Sequence, residues 1–183
     1  MSRRDELLQQ ATDYALEHGL IGLSLRPMAA ALGTSDRMLL YHFGSKDALV
    51  IAVIDESTRR SSEVLRDLPP AQTVRAGVLR LWEVHTDGQL DRCQHLYEQA
   101  SASGLLGDEP YRSAVRQSNE IWAVALVDYL TACGATRTGA RRVVPLLDAA
   151  LMGFHLDYGI EADSADLRRG VRDLADAVHR LTE

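Results

Sequence analysis

Lysine is all but missing from this sequence. Lys46 is the only one in 183 residues, and every other basic residue is arginine. An excess of positive charge is missing too. The formal net charge is −6, which excludes a chain coated with cations for nucleic acid but leaves room for a local footprint. Arg3, Arg4, Arg26, Arg37 and Lys46 stand against six acids in the first fifty residues, so any such affinity comes from placement. Cys93 and Cys133 are the only cysteines. Their spacing suits no metal and no disulfide framework, and points to a reducing compartment.

Other absences narrow the function. The start, "MSRRDELLQQ", lacks the apolar core of a secretory signal. No apolar run approaches the ~20 residues of a membrane span. A cytoplasmic protein with no membrane partner is expected. HExxH, GxSxG and phosphate-loop patterns are lacking, and the acids are scattered along helices without paired spacing. His85 and Cys93 have nothing to fix them as a nucleophile pair. Neither an enzyme nor a cofactor or metal site is expected.

What is present reads as a soluble, globular, all-α chain, with 46% hydrophobic and 25% charged residues. Apolar residues recur with helical period almost throughout, and no stretch alternates as a strand does. Leu7, Leu8, Ala11, Tyr14 and Ala15 form one face, ended by Gly19. Two short helices follow, with Ser24 and Ser35 as candidate N-caps and Gly33 and Gly44 as stops. Ser45 then caps a long helix to about Leu68. Beyond Pro69 and Pro70 come longer stripes: Val74 to His85, Leu90 to Ala100, Tyr111 to Tyr129, Val143 to Tyr158 and Leu167 to Leu181. That makes about nine helices. The expected division is 1–50, with a linking helix over 45–68, and 69–183.

Residues 24–43 have the form of a helix-turn-helix. Ala29 gives the small side chain that crossing helices need, and Gly33 tolerates the positive φ of the turn. The second helix of such a unit lies in the major groove. Its exposed readers would be Arg37 and Met38, with Leu39 and Phe43 facing the core. A plain helical hairpin has the same spacing. Lys46 separates the two readings. It sits in the first turn of its helix, where a cation opposes the dipole at a cost of ~0.3–1 kcal/mol. A phosphate bound at that turn gives the lysine a purpose. Asp36 suits the first turn of the recognition helix by charge; a sharper role is acceptance from a cytosine amino group.

Residues 7–49 resemble the DNA-binding domain of the tetracycline-repressor (TetR) family. The resemblance lies in "LLQQATDYALEHG", "LSLRPMAAALGTS" and "LLYHFGSKDAL". It implies DNA contacts from Arg26, His42 and Lys46, with Lys46 on a backbone phosphate; Ser35, Asp36, Arg37, Met38 and Tyr41 complete the DNA-binding candidates. The family usually shows Leu-Tyr-x-His-Phe. Here the run is Leu39, Leu40, Tyr41, His42, Phe43, so the tyrosine is displaced by one position.

The resemblance also implies a three-helix DNA-binding domain followed by a larger helical domain for effector binding and dimerisation. Trp82, His85, Tyr97, Ser118, Trp122 and His155 interrupt apolar stripes with polar or aromatic groups and are the effector-site candidates. Taken singly, each reads more readily as a core residue whose polar atom has a partner; several on neighbouring helices favour a cavity of mixed character. The last two helices, about 138–158 and 164–182, are similar to the family's dimerisation pair, with Ala149, Ala150 and Gly153 allowing close approach. The expected function is a transcriptional regulator: a repressor that leaves a palindromic double-stranded DNA operator when a small-molecule effector binds its homodimer. The alternatives are a helical protein-interaction module and a regulator without a small-molecule effector.

Overall fold

The computed structural model describes residues 2–161 and 164–183. Among these the chain forms nine helices and no strand. They are α1 (Arg3–His18), α2 (Leu25–Ala31), α3 (Asp36–Phe43), α4 (Lys46–Asp67), α5 (Val74–His85), α6 (Gly88–Leu105), α7 (Glu109–Ala132), α8 (Arg137–Glu161) and α9 (Ala165–Thr182).

Local chemistry sets most of the helix ends. Ser2 and Asp5 form a capping box at α1: the Ser2 hydroxyl accepts the Asp5 N–H at 3.2 Å, and the Asp5 carboxylate accepts the Ser2 N–H at 2.9 Å. The Ser35 hydroxyl accepts the Met38 N–H at 3.2 Å, and Ser45 accepts that of Ala48 at 3.0 Å, as their positions predict. Ser24 departs from expectation. It has the extended backbone of an N-cap, but its side chain makes no cap bond. Pro27 in the first turn of α2 has no N–H to satisfy, which lessens the need for one.

Contacts divide the chain into two compact units. The first is Met1–Ser61 with Arg92–Glu120; the second is Ser62–Asp91 with Ile121–Glu183. Pro69 and Pro70 separate α4 from α5, as expected, but lie inside the second unit. The reason is Leu65 near the end of α4, which is buried in that unit's core with Val78, Leu81, Leu126 and Leu147. The core of the first unit joins Leu7, Met28, Leu39, Phe43, Leu49 and Val53 to Leu96, Ala100 and Ala114. The DNA-binding candidates therefore rest on a scaffold that includes parts of α6 and α7.

In the second unit α9 packs on α5 and α8, burying Leu167, Val171, Leu174 and Val178. α8 is long and apolar enough, by length and composition, to cross a membrane. No run was evident in the sequence because Asp148 and Asp157 interrupt it. Pro145 lies within α8 and is exposed. Its missing N–H leaves the Arg141 carbonyl without its usual helical donor.

Candidate functional site

α2 and α3 pack on each other and on α1. Met28 and Ala29 of α2 are buried, as are Leu39 and Phe43 of α3. Gly33 has a φ of 63°, the left-handed conformation its position in the turn calls for. The turn closes through Gly33 N–H to Ala30 O at 3.2 Å and Thr34 N–H to Ala29 O at 2.9 Å. With Leu39 and Phe43 committed inward, the other face of α3 is fixed outward.

That outward face carries the reading candidates. Ser35, Asp36, Arg37, Met38 and Tyr41 are exposed, Tyr41 to 78%. Leu40, which stands where the family shows tyrosine, is also exposed. The Tyr41 ring meets His42 edge-on, with centroids 5.2 Å apart. His42 Nε2 is buried and bonds to nothing among the described residues, so contact through that nitrogen needs the ring to turn. Asp36 Oδ1 accepts the Arg37 N–H at 2.9 Å. One Asp36 oxygen is thus bonded within the first turn of its own helix.

Arg26 is exposed on α2, and Lys46 is exposed at the first position of α4. Ser45 caps the turn that Lys46 opens. Lysine, cap and free N–H groups are together the arrangement that suits a phosphate oxygen.

Three supports of this surface lie outside the residues singled out from the sequence. Arg4 of α1 lies over the Phe43 ring, 5.0 Å from its centroid, and holds the end of α3 by a cation–π contact. Arg60 of α4 bonds to Glu56 on its own helix and to Gln9 and Asp13 on α1. Glu56 is buried, and hydrogen bonding from Arg59, then Arg60, holds its carboxyl well below the usual range, at about 2. Gln99 of α6 accepts N–H groups from the loop after α1. Of the three, only the Glu56/Arg60 spacing of four on one helix was readable from the sequence.

The effector candidates fall in both units. Tyr97 and Ser118 belong to the first. The Tyr97 hydroxyl donates to Asn119 Oδ1 at 2.7 Å, and Ser118 shares a 2.7 Å hydroxyl contact with Thr58. Trp82, His85, Trp122 and His155 belong to the second unit. The His85 ring is buried and meets Trp122 at 5.7 Å between centroids. Trp122 Nε1 donates to Asp148 Oδ1 at 2.9 Å, and burial pushes the Asp148 carboxyl up. Trp82 meets Phe154 and Tyr158 edge-on, at 6.2 and 6.1 Å. His155 is buried, its Nε2 3.1 Å from Asp91 Oδ1. The second unit also has an open groove of about 250 Å³, lined by Val124 and Val127 of α7 and by Arg137, Arg141, Val144 and Pro145 of α8. None of the effector candidates lines it.

Comparison with known proteins bears on both halves of this description. Residues 7–53 match the family model of bacterial regulatory proteins of the tetR family. The chain is 33% identical over 85 residues to the HTH-type transcriptional repressor Rv3405c of Mycobacterium tuberculosis, a match covering 46% of this chain and 45% of that protein. It thus spans about half the length of the curated relatives it matches. A transcriptional regulator from Rhodococcus sp. Rha1 superposes with a TM-score of 0.76 at 18% identity, over 98% of this chain and 97% of that one. The multidrug binding protein EbrR, complexed with ethidium, superposes with a TM-score of 0.69 at 22% identity, over 100% and 99% of the two chains. These likenesses establish the fold along the whole chain.

Proposed function

We propose that this chain, whose residues 7–53 match the family model of bacterial regulatory proteins of the tetR family, is a DNA-binding transcriptional repressor of that family. It acts in the cytoplasm as a homodimer on a palindromic operator and is released by a small-molecule effector. The observation that carries the reading is the split of α3 into a buried face, Leu39 and Phe43, and an exposed face, Arg37, Met38 and Tyr41. A recognition helix needs that division.

Residues 1–50 are the DNA-binding domain, α4 is the link, and 69–183 form the effector-binding and dimerisation domain. Arg37 and Met38 read base edges. Ser35 and Asp36 set the first turn of the reading helix. Arg26, Tyr41, His42 and Lys46 hold backbone phosphates. Lysine is a compact point charge on a flexible stem, which suits a single phosphate oxygen. The effector meets the aromatic groups of the second unit, Trp82, His85 and Trp122, with His155 alongside. A neighbour of the same fold is complexed with ethidium, an aromatic small molecule, which supports a ligand of that kind. Its effect on DNA travels through α4, and can be no larger than its differential affinity for the two conformations.

Selection of bound sequences from random duplex DNA tests the reading. A palindromic consensus bound in a salt-dependent manner is expected. Recovery of no preferred sequence would leave a helical interaction module. With the operator in hand, compounds are screened for release and for a change in tryptophan fluorescence.

A further inference from the structure

The open groove of the second unit is lined by none of the proposed effector contacts. Val124 and Val127 of α7 and Val144 and Pro145 of α8 form its walls, Arg137 and Arg141 its rim, and its volume is about 250 Å³. Val124 is 57% exposed, and Pro145 is exposed as well. Apolar walls thus stand open to water beside cations. Drug-sized ligands occupy sites of ~300–1,000 Å³, so this groove takes something smaller. Its lining residues include no aromatic ring, unlike the group of Trp82, Phe154 and Tyr158 in the same unit. An aliphatic body suits it better than a flat aromatic one.

The two arginines of the rim are not equivalent. Arg137 Nη1 donates to Asp128 Oδ1 at 2.9 Å, which spends part of its guanidinium on a carboxylate of the same unit. The Arg141 guanidinium has no hydrogen bond or ion pair among the described residues. Arg137 and Arg141 against Asp128 leave one positive charge over, which matches a monoanion. We propose that this groove is a second ligand site, for a small aliphatic monocarboxylate. The carboxylate pairs with Arg141, whose planar fork meets both oxygens at once, and Arg137 adds its remaining N–H groups. The chain of the ligand lies along Val124, Val127, Val144 and Pro145 and removes their apolar surface from water together with its own. Inorganic phosphate would leave those walls wet, and an alkylamine would meet charge of its own sign. The site does not depend on the proposed function, and either stands if the other fails.

Octanoate is the probe, followed by calorimetric titration of the full chain and by NMR of its valine methyl and tryptophan indole groups. Octanoate is expected to bind and to shift the methyls of Val124, Val127 and Val144, while those of Val171 and Val178, buried on α9, stay in place. Octylamine and inorganic phosphate at the same concentration should shift none of the three and should not compete. Arg141 is exposed, so Arg141→Gln keeps the fold, as circular dichroism will verify, and should weaken octanoate binding about tenfold or more. Asp128→Asn releases Arg137 and should tighten it about threefold. Octanoate that leaves the three methyls in place, as it would if a second copy of the chain already covered the groove, overturns the inference. So does octanoate that shifts only the indoles of Trp82 and Trp122, or is displaced equally well by octylamine or phosphate. An Arg141→Gln chain that binds as the wild type does, or an Asp128→Asn chain that binds no tighter, overturns it as well.

Discussion

Gln99 and Leu20, seventy-nine positions apart, are joined by a hydrogen bond: the Leu20 N–H donates to Gln99 Oε1 at 2.7 Å. The same oxygen accepts the Ile21 N–H at 3.1 Å. A Cβ on Gly19 would lie 2.7 Å from it, so the glycine makes room for the amide. One side chain of α6 thereby fixes the loop that delivers α1 to α2. Gln99→Leu keeps the approximate volume and removes the acceptor. It should cost about 1–3 kcal/mol of stability, since the Leu20 N–H loses its partner. Urea titration gives the loss, and faster amide exchange at Leu20 and Ile21 locates it. Unchanged exchange there would mean that the loop holds itself.

Lys46→Ala should weaken binding to all duplex sequences alike. Losing one phosphate contact reduces the slope of log K against log salt by about one unit. A slope equal to that of the wild type removes Lys46 from the phosphate contacts.

Arg37→Ala should behave differently. If Arg37 reads a guanine, preferred sites lose ~1–3 kcal/mol and selectivity relaxes at one base pair. Equal losses on preferred and scrambled duplexes would assign Arg37 to the backbone.

Acid titration should expose Glu56. Its pKa in the fold is depressed to about 2, from 4.5, so its contribution to stability is complete above the ordinary value. That contribution fades as pH falls from about 5 toward 2. Glu56→Gln should melt lower than the wild type at pH 7, with the gap narrowing across that window. A gap that does not vary with pH would mean that the charge of Glu56 contributes nothing.

Asp148 should show the reverse sign. Burial raises its pKa, so the ionised form costs stability at neutral pH, and the cost vanishes as pH falls through the raised value. Asp148→Asn keeps an oxygen for Trp122 Nε1 and removes the charge. The variant should melt higher than the wild type at pH 7, and the two should converge in acid. Parallel curves would contradict the desolvation of this carboxylate.

The parts of the fold that were legible in the sequence are those determined within a few residues. Ser35 and Ser45 cap their helices through bonds three positions away. Gly33 turns where a positive φ is required. What escaped was set at a distance. Gln99 and Arg60 act across long stretches of chain, and no spacing announces such partners. The strict stripe of α9 indicated a buried face but not what buries it. The buried face of α9 packs on α5 and α8 of the same chain. Nor can the periodicity that makes Trp122 an effector candidate reveal that its N–H is bonded to Asp148.

Because Lys46 is the only lysine and is exposed, the chain has a single side-chain primary amine. An acylating reagent therefore has one side-chain target, at the surface proposed to meet DNA. Operator should shield that amine from the reagent, and mass spectrometry of one peptide would report occupancy without mutation. Enzymatic lysine acetylation of this chain could likewise occur at only one position, and it would cancel the charge there. With arginine at every other basic position, such a modification is confined to the surface proposed to meet DNA.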